Sequence, residues 1–153
     1  MTGMAYLDYV CDVFAVPEAE RTARISGLAD RLAMADALGS RASSYSHGMQ
    51  QKLVLMGAFV HDPALLVLDE PFVGLDPVAT RTLRAMLREH ADRGGAVLFS
   101  SHVLEVVERL CDTVAIVADG SIRAQGPIAD VMGDESLEDV FMDTLSEAEG
   151  EVR

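Results

Sequence analysis

Apolar positions recur at helical spacing through roughly the first 60 residues and then give way to unbroken apolar runs separated by helical stretches. The texture changes near residue 62. Tyr6, Leu7, Val10, Val13 and Phe14 follow Thr2, whose hydroxyl suits a helix cap, and predict a first helix. Pro17 opens a second helix from about Glu18 to Leu38, with Ile25, Leu28, Leu32 and Ala35 as one stripe and Gly39 as its stop. Ser46 caps a third helix that places Met49, Leu53, Met56, Gly57 and Val60 on one face, and His61-Asp62-Pro63 ends it.

Beyond Ala64, Leu65-Leu66-Val67-Leu68 reads as a strand buried on both faces, the mark of a parallel sheet. Asp76 as cap and Pro77 as first helical residue start a helix that stops near Gly94-Gly95. Ala96 to Phe99 is a second buried strand, Val103 to Cys111 repeats at helical spacing, and Thr113 to Ala118 is a third apolar strand. Asp119-Gly120 is a hairpin turn, so Ser121 to Gln125 folds back antiparallel. Leu137, Val140, Phe141 and Leu145 suggest a short amphipathic helix in an otherwise acidic tail. The expected fold class is α/β, a parallel-sheet core preceded by an α-helical subdomain. The expected divisions are residues 1–62, 63–133 and 134–153.

Composition narrows the partners. The chain has 153 residues, enough for one globular domain, and its 25 acidic against 12 basic side chains give a net charge of −13. Phosphate-backbone binders carry a basic stripe, so nucleic acid is not an expected partner. No apolar run approaches the roughly 18 residues of a spanning helix, and Asp8 and Asp12 stand where a basic leader would be. Cys11 and Cys111 match no metal-ligand spacing or disulfide framework. They read as small buried apolar residues in a reducing compartment.

The apolar strand Leu65 to Leu68 runs directly into Asp69-Glu70 and then Pro71. Ligands of open parallel sheets bind beyond the carboxyl ends of the strands. A carboxylate there suits Mg²⁺ and a second beside it suits an attacking water; the same two acids could equally close the strand and cap a turn. Upstream, Ser46 and Gly48 begin a helix whose N-terminal N–H groups and positive dipole end suit an anion, the alternative being an ordinary serine cap.

These segments occur in a particular order: Tyr45-Ser46-His47-Gly48-Met49, Leu65 to Glu70, Gly74-Leu75-Asp76-Pro77, then Ser100-Ser101-His102. As an ordered set they resemble the nucleotide-binding subunit of an ABC transporter. The first segment is similar to the signature loop, the second to the Walker B strand, Gly74 to Asp76 of the third to the D-loop, and His102 to the switch histidine. His47 and Met49 replace the commonest Gly and Gln, a looser form that resembles the drug- and antibiotic-export branch. The resemblance implies Glu70 as catalytic base, Asp69 on Mg²⁺ through water, and His102 at the γ-phosphate. It further implies Ser46, His47, Gly48 and Met49 clamping ATP held by a dimer partner, with Asp76 at the dimer interface. ATP and Mg²⁺ are the implied cofactors. The implied partners are a second ATPase subunit and a transmembrane permease, and the place is the cytoplasmic face of the cell membrane. As side chains, His47, His61 and His90 read as solvent or loop residues, and Ser100-Ser101-His102 lacks the Gly-x-Ser-x-Gly elbow of a serine hydrolase.

The family's phosphate cradle needs Gly-x-x-x-x-Gly-Lys-Ser/Thr. No two glycines here stand five positions apart, and Lys52, the only lysine, falls in the signature helix. The Walker A loop and the family's glutamine loop align upstream of Met1, so the expectation is an incomplete P-loop NTPase core whose Walker B strand lacks a neighbour. Two functional readings follow. One is the C-terminal fragment of an ATPase subunit whose complete form drives export; the other is a non-catalytic module that docks on a permease or an intact subunit.

Overall fold

The computed structural model describes residues 1–151 and divides into two compact units, residues 1–100 and the part that begins at Ser101. The first unit opens with three helices, α1 (Gly3–Val13), α2 (Glu18–Arg31) and α3 (His47–Val60). Thr2 Oγ1 accepts the Ala5 N–H at 3.1 Å and Ser46 Oγ accepts the Met49 N–H at 3.3 Å, as their sequence positions imply. The three helices enclose a core of Leu7, Val10, Cys11, Ile25, Ala29, Leu53, Met56 and Val60. Tyr6 packs at the edge of this core, while Val13 and Phe14, expected on the same stripe, are more than half exposed.

The second helix is shorter than its periodicity suggests. It ends at Arg31, and Ala33 takes a left-handed φ of 53° while the Met34 N–H reaches back to Ala29 O at 2.8 Å and the Ala33 N–H to Asp30 O at 3.3 Å. This is the Schellman arrangement with alanine where glycine is usual. The turn lets Leu32, Met34 and Leu38 all enter the core and leaves Ala35 exposed, which a continuous helix could not do. α1 ends the same way: Ala15 has φ 52° and the Val16 N–H bonds to Cys11 O at 2.8 Å.

The rest of the first unit is a strand–helix–strand unit, β1 (Leu65–Leu68), α4 (Pro77–Asp92) and β2 (Ala96–Phe99). β1 and β2 pair in parallel with Leu65 opposite Ala96 and Leu68 opposite Phe99. α4 buries Ala79, Leu83, Met86, Leu87 and His90. The expectation that the strands are buried on both faces is corrected: Leu66 is sealed, but Leu65, Val67 and Leu98 are 53%, 66% and 62% exposed. α4 packs on β2, and among the described residues β1 has β2 as its only strand neighbour. His90, read as a solvent or loop residue, is instead 3% exposed, edge-on to Phe59 at 6.2 Å. Leu83 is fully buried, so Leu83→Ala should cost about 2–5 kcal/mol, read as a fall in the midpoint of urea unfolding.

The second unit holds α5 (Leu104–Leu110), a hairpin of β3 (Thr113–Ala118) and β4 (Ser121–Pro127), α6 (Ile128–Met132) and α7 (Leu137–Glu151). Asp119 and Gly120 both have positive φ, 51° and 72°, which the tight hairpin turn demands. The register slips between Ile116 and Val117, a bulge in the hairpin. β3, expected as a third strand beside the others, pairs with β4 alone among the described residues. α7 is longer than the short helix expected; Leu137 is buried and its N–H bonds to Glu108 Oε1 at 2.9 Å. The final two residues of the acidic tail lie outside the described residues.

Candidate functional site

The parallel pairing of β1 with β2 brings Asp69 and Ser100 side by side just past the carboxyl ends of both strands. The Ser100 N–H donates to Leu68 O at 3.0 Å and extends the ladder by one step. Ser100 Oγ then donates to Asp69 Oδ1 at 2.5 Å and accepts the Glu70 N–H at 3.0 Å. One hydroxyl thus holds both acidic residues. Glu70 has a φ of 44°, a left-handed conformation that costs a non-glycine residue of the order of 1 kcal/mol or more and persists only where the surroundings impose it. Here the Ser100 bond, the buried Pro71 and the Phe72–Phe99 ring contact at 5.8 Å impose it. The bend turns the chain sharply away from the strand direction at Glu70, directly after Asp69.

The start of α3 is tied to the loop that follows Glu70. A side chain at Gly48 would meet Gly74 O at 2.7 Å and one at Gly74 would meet the His47 ring, so two glycines allow the loops to touch through backbone. Gln51 Nε2 donates to Pro71 O at 3.3 Å, and Lys52 Nζ pairs with Asp76 Oδ2 at 3.2 Å. Asp76 also caps α4, accepting the Ala79 N–H at 2.8 Å. The Ala79 N–H and then the Lys52 ammonium hold its carboxyl below the ordinary carboxylate range. A depressed folded-state pKa means that this contribution to stability is present above the usual carboxylate pKa and is lost as pH falls through the lower, folded value. Ser46 and His47 remain exposed at the head of the helix.

Of the residues singled out by sequence, Ser46, His47, Gly48, Met49, Asp69, Glu70 and Asp76 all lie in the first unit. His102 belongs to the second, two residues before α5. Three residues near the site carried no assigned role in the sequence reading: Ser100, Gln51 and Lys52. Ser100 follows its strand as Asp69 follows β1, and only strand pairing puts the two together. Among the described residues no group of three or more His, Cys, Asp or Glu side chains converges on a metal position. Asp69 supplies one carboxylate with a second oxygen beyond the one Ser100 engages, a donor set that fits Mg²⁺, which keeps several waters and takes one or two carboxylates plus substrate phosphates. Among the described residues no helix is long and apolar enough to cross a membrane.

The sequence model of the family described as "AAA domain, putative AbiEii toxin, Type IV TA system" matches residues 29–108. The chain is 32% identical over 155 residues to the ABC-type transporter ATP-binding protein EcsA of Bacillus subtilis, with 98% of this chain and 63% of EcsA covered. It is 34% identical over 138 residues to the ABC transporter ATP-binding protein YthP of the same organism, covering 90% of this chain and 58% of YthP. A solved structure described as the ATP binding subunit of an ABC transporter superposes with a TM-score of 0.91 at 30% identity, over 95% of this chain and 62% of that one. In each case the chain spans less than two thirds of the relative's length. With its ordered motifs, its fold and these likenesses in agreement, the chain belongs to the P-loop NTPase family of AAA-type domains, among the ABC transporter ATP-binding proteins.

Proposed function

We propose that this chain supplies the hydrolytic carboxylates and the clamp loop of an ABC-type ATP site, with the phosphate cradle provided by residues other than these 153. The observation that carries this reading is the Asp69-Glu70 pair at the strand end, locked by the Ser100 hydroxyl. Glu70 takes a proton from a water as its oxygen attacks the γ-phosphorus; the bond from that phosphorus to the bridging oxygen of ADP breaks, leaving ADP and phosphate. Asp69 would hold Mg²⁺ through water, and the ion when bound neutralises charge on the β- and γ-phosphate oxygens. His102 orients the water and γ-phosphate. Ser46, His47, Gly48 and Met49 present the N-terminus of α3 to the ATP of a dimer partner, and Asp76 stands at that interface. The complete protein works with a transmembrane permease at the cytoplasmic face of the membrane, in export.

A second reading, docking without hydrolysis, is favoured by one sequence fact: the 153 residues contain no Gly-x-x-x-x-Gly-Lys. One experiment separates the two. The chain is mixed with an intact ABC-type subunit whose own catalytic glutamate is replaced, and co-elution and phosphate release are followed with and without ATP. ATP-dependent co-elution supports the clamp. Phosphate release from the mixture supports the hydrolytic reading, and co-elution without release supports the docking module. Co-elution that ignores ATP would sink both.

A further inference from the structure

A concavity of about 500 Å³ opens beside the start of α4, lined by Leu75, Pro77, Thr80, Arg81 and Arg84. Thr80, Arg81 and Arg84 lie on one side of the helix, while Ala79, Leu83, Met86 and His90 are buried on the other. Among the described residues neither Arg81 nor Arg84 makes a hydrogen bond or ion pair, whereas Arg21, Arg24, Arg31, Lys52, Arg93, Arg109 and Arg123 are each matched with a carboxylate. Arg84 Nε is sealed from solvent and has no acceptor. Buried donors without a partner are uncommon, because the donor gives up its water and gains nothing in return. The acid next to the concavity does not neutralise these arginines: Asp76 is already engaged by the Ala79 N–H and by Lys52. In a chain with 25 acids and 12 bases, two unmatched guanidinium groups share one hollow with a hydroxyl.

The ligand class follows from the donors. Two guanidinium forks and a threonine hydroxyl offer more N–H and O–H groups than the two oxygens of a carboxylate accept, and they suit the several charged oxygens of a phosphate. Leu75 and Pro77 supply an apolar wall next to that charged corner. The hollow is small, open to solvent and lined by only five residues, which suits a small molecule better than a length of peptide. We propose that this concavity binds a small organic phosphate, its phosphate on Arg81, Arg84 and Thr80 and its apolar part against Leu75 and Pro77. Apart from Leu75 in the D-loop, none of these residues has a place in the ATP site proposed above, and the inference does not rest on that reading.

The test titrates the ¹⁵N-labelled full chain at constant ionic strength with phenyl phosphate, inorganic phosphate and benzoate, following the backbone amides and the arginine Nε–H signals. Phenyl phosphate should give saturable shifts centred on Leu75, Thr80, Arg81 and Arg84 and bind more tightly than inorganic phosphate, with benzoate weakest. Arg81→Gln and Arg84→Gln should each weaken phenyl phosphate by about tenfold, roughly the loss of one charge-assisted contact. Arg109→Gln, on α5, should change nothing. Arg81 is exposed, so its variant keeps the fold even if replacement of Arg84 does not. The proposal is overturned if the shifts are absent, if they survive Arg81→Gln, if benzoate binds as well as phenyl phosphate, or if a short polyglutamate peptide binds the same residues more tightly.

Discussion

Glu70→Gln, in a protein that joins these residues to a phosphate cradle, should cut ATP turnover by about 10²–10⁴-fold, the usual worth of a positioned general base. ATP binding should survive, and the closed nucleotide-bound dimer should accumulate because the step that reopens it is lost. The geometry makes this a clean experiment. Glu70 is held through its backbone, by its N–H to Ser100 Oγ and by the left-handed bend before buried Pro71, and glutamine keeps every one of those constraints. Asp69 retains its Ser100 bond as well. The measurement pairs steady-state phosphate release with nucleotide-dependent dimer formation by light scattering. An unchanged rate removes Glu70 from the chemistry, and loss of ATP binding together with rate means that the variant disturbed the site and not the proton transfer.

Gly48→Asp should abolish ATP-dependent pairing of the chain with an intact subunit. Two effects act in the same direction. A Cβ at residue 48 meets Gly74 O at 2.7 Å, closer than real Cβ contacts allow, so the signature loop must part from the D-loop. The added carboxylate then faces the phosphate with like charge. Loss of the helix is not an alternative explanation, because a negative charge near a helix N-terminus stabilises that helix. Gly48→Ala isolates the steric part and should weaken pairing without abolishing it. Co-elution in ATP, compared among native, Gly48→Ala and Gly48→Asp chains of equal helicity by circular dichroism, reads the result. Equal co-elution of all three would reduce the loop to a helix cap.

Features written in local chemistry were legible before the fold was. Thr2, Ser46 and Asp76-Pro77 cap their helices where the cap residues stand, and Asp119-Gly120 turns the hairpin with two positive φ values. Each depends on residues within a few positions of one another, so no tertiary information is needed. The ordered motifs likewise lie along the chain in plain view, which is why family membership was readable from them.

The end of α2 was not legible. No glycine marks it, and Ala33 accepts a left-handed backbone because the turn delivers Met34 and Leu38 to the core. Burial there outweighs a local preference, and burial depends on what packs opposite. The exposed face of the β1–β2 pair is the reverse case. The run Leu65 to Leu68 records side chains suited to cover on both faces, whereas coverage is a property of neighbouring elements, and the described residues cover one.

The sequence by itself determined the caps, the turn, the strand–helix alternation and the identity of the residues at the strand end, because those rest on short-range sterics and hydrogen bonding. Only the tertiary structure decided that Ser100 binds Asp69 and Glu70 together, that Lys52 reaches Asp76 across 24 positions, and that Gly48 and Gly74 touch through backbone. Those contacts join segments far apart in the chain. Their partners are chosen by strand register and helix packing, which are settled only when the whole core closes.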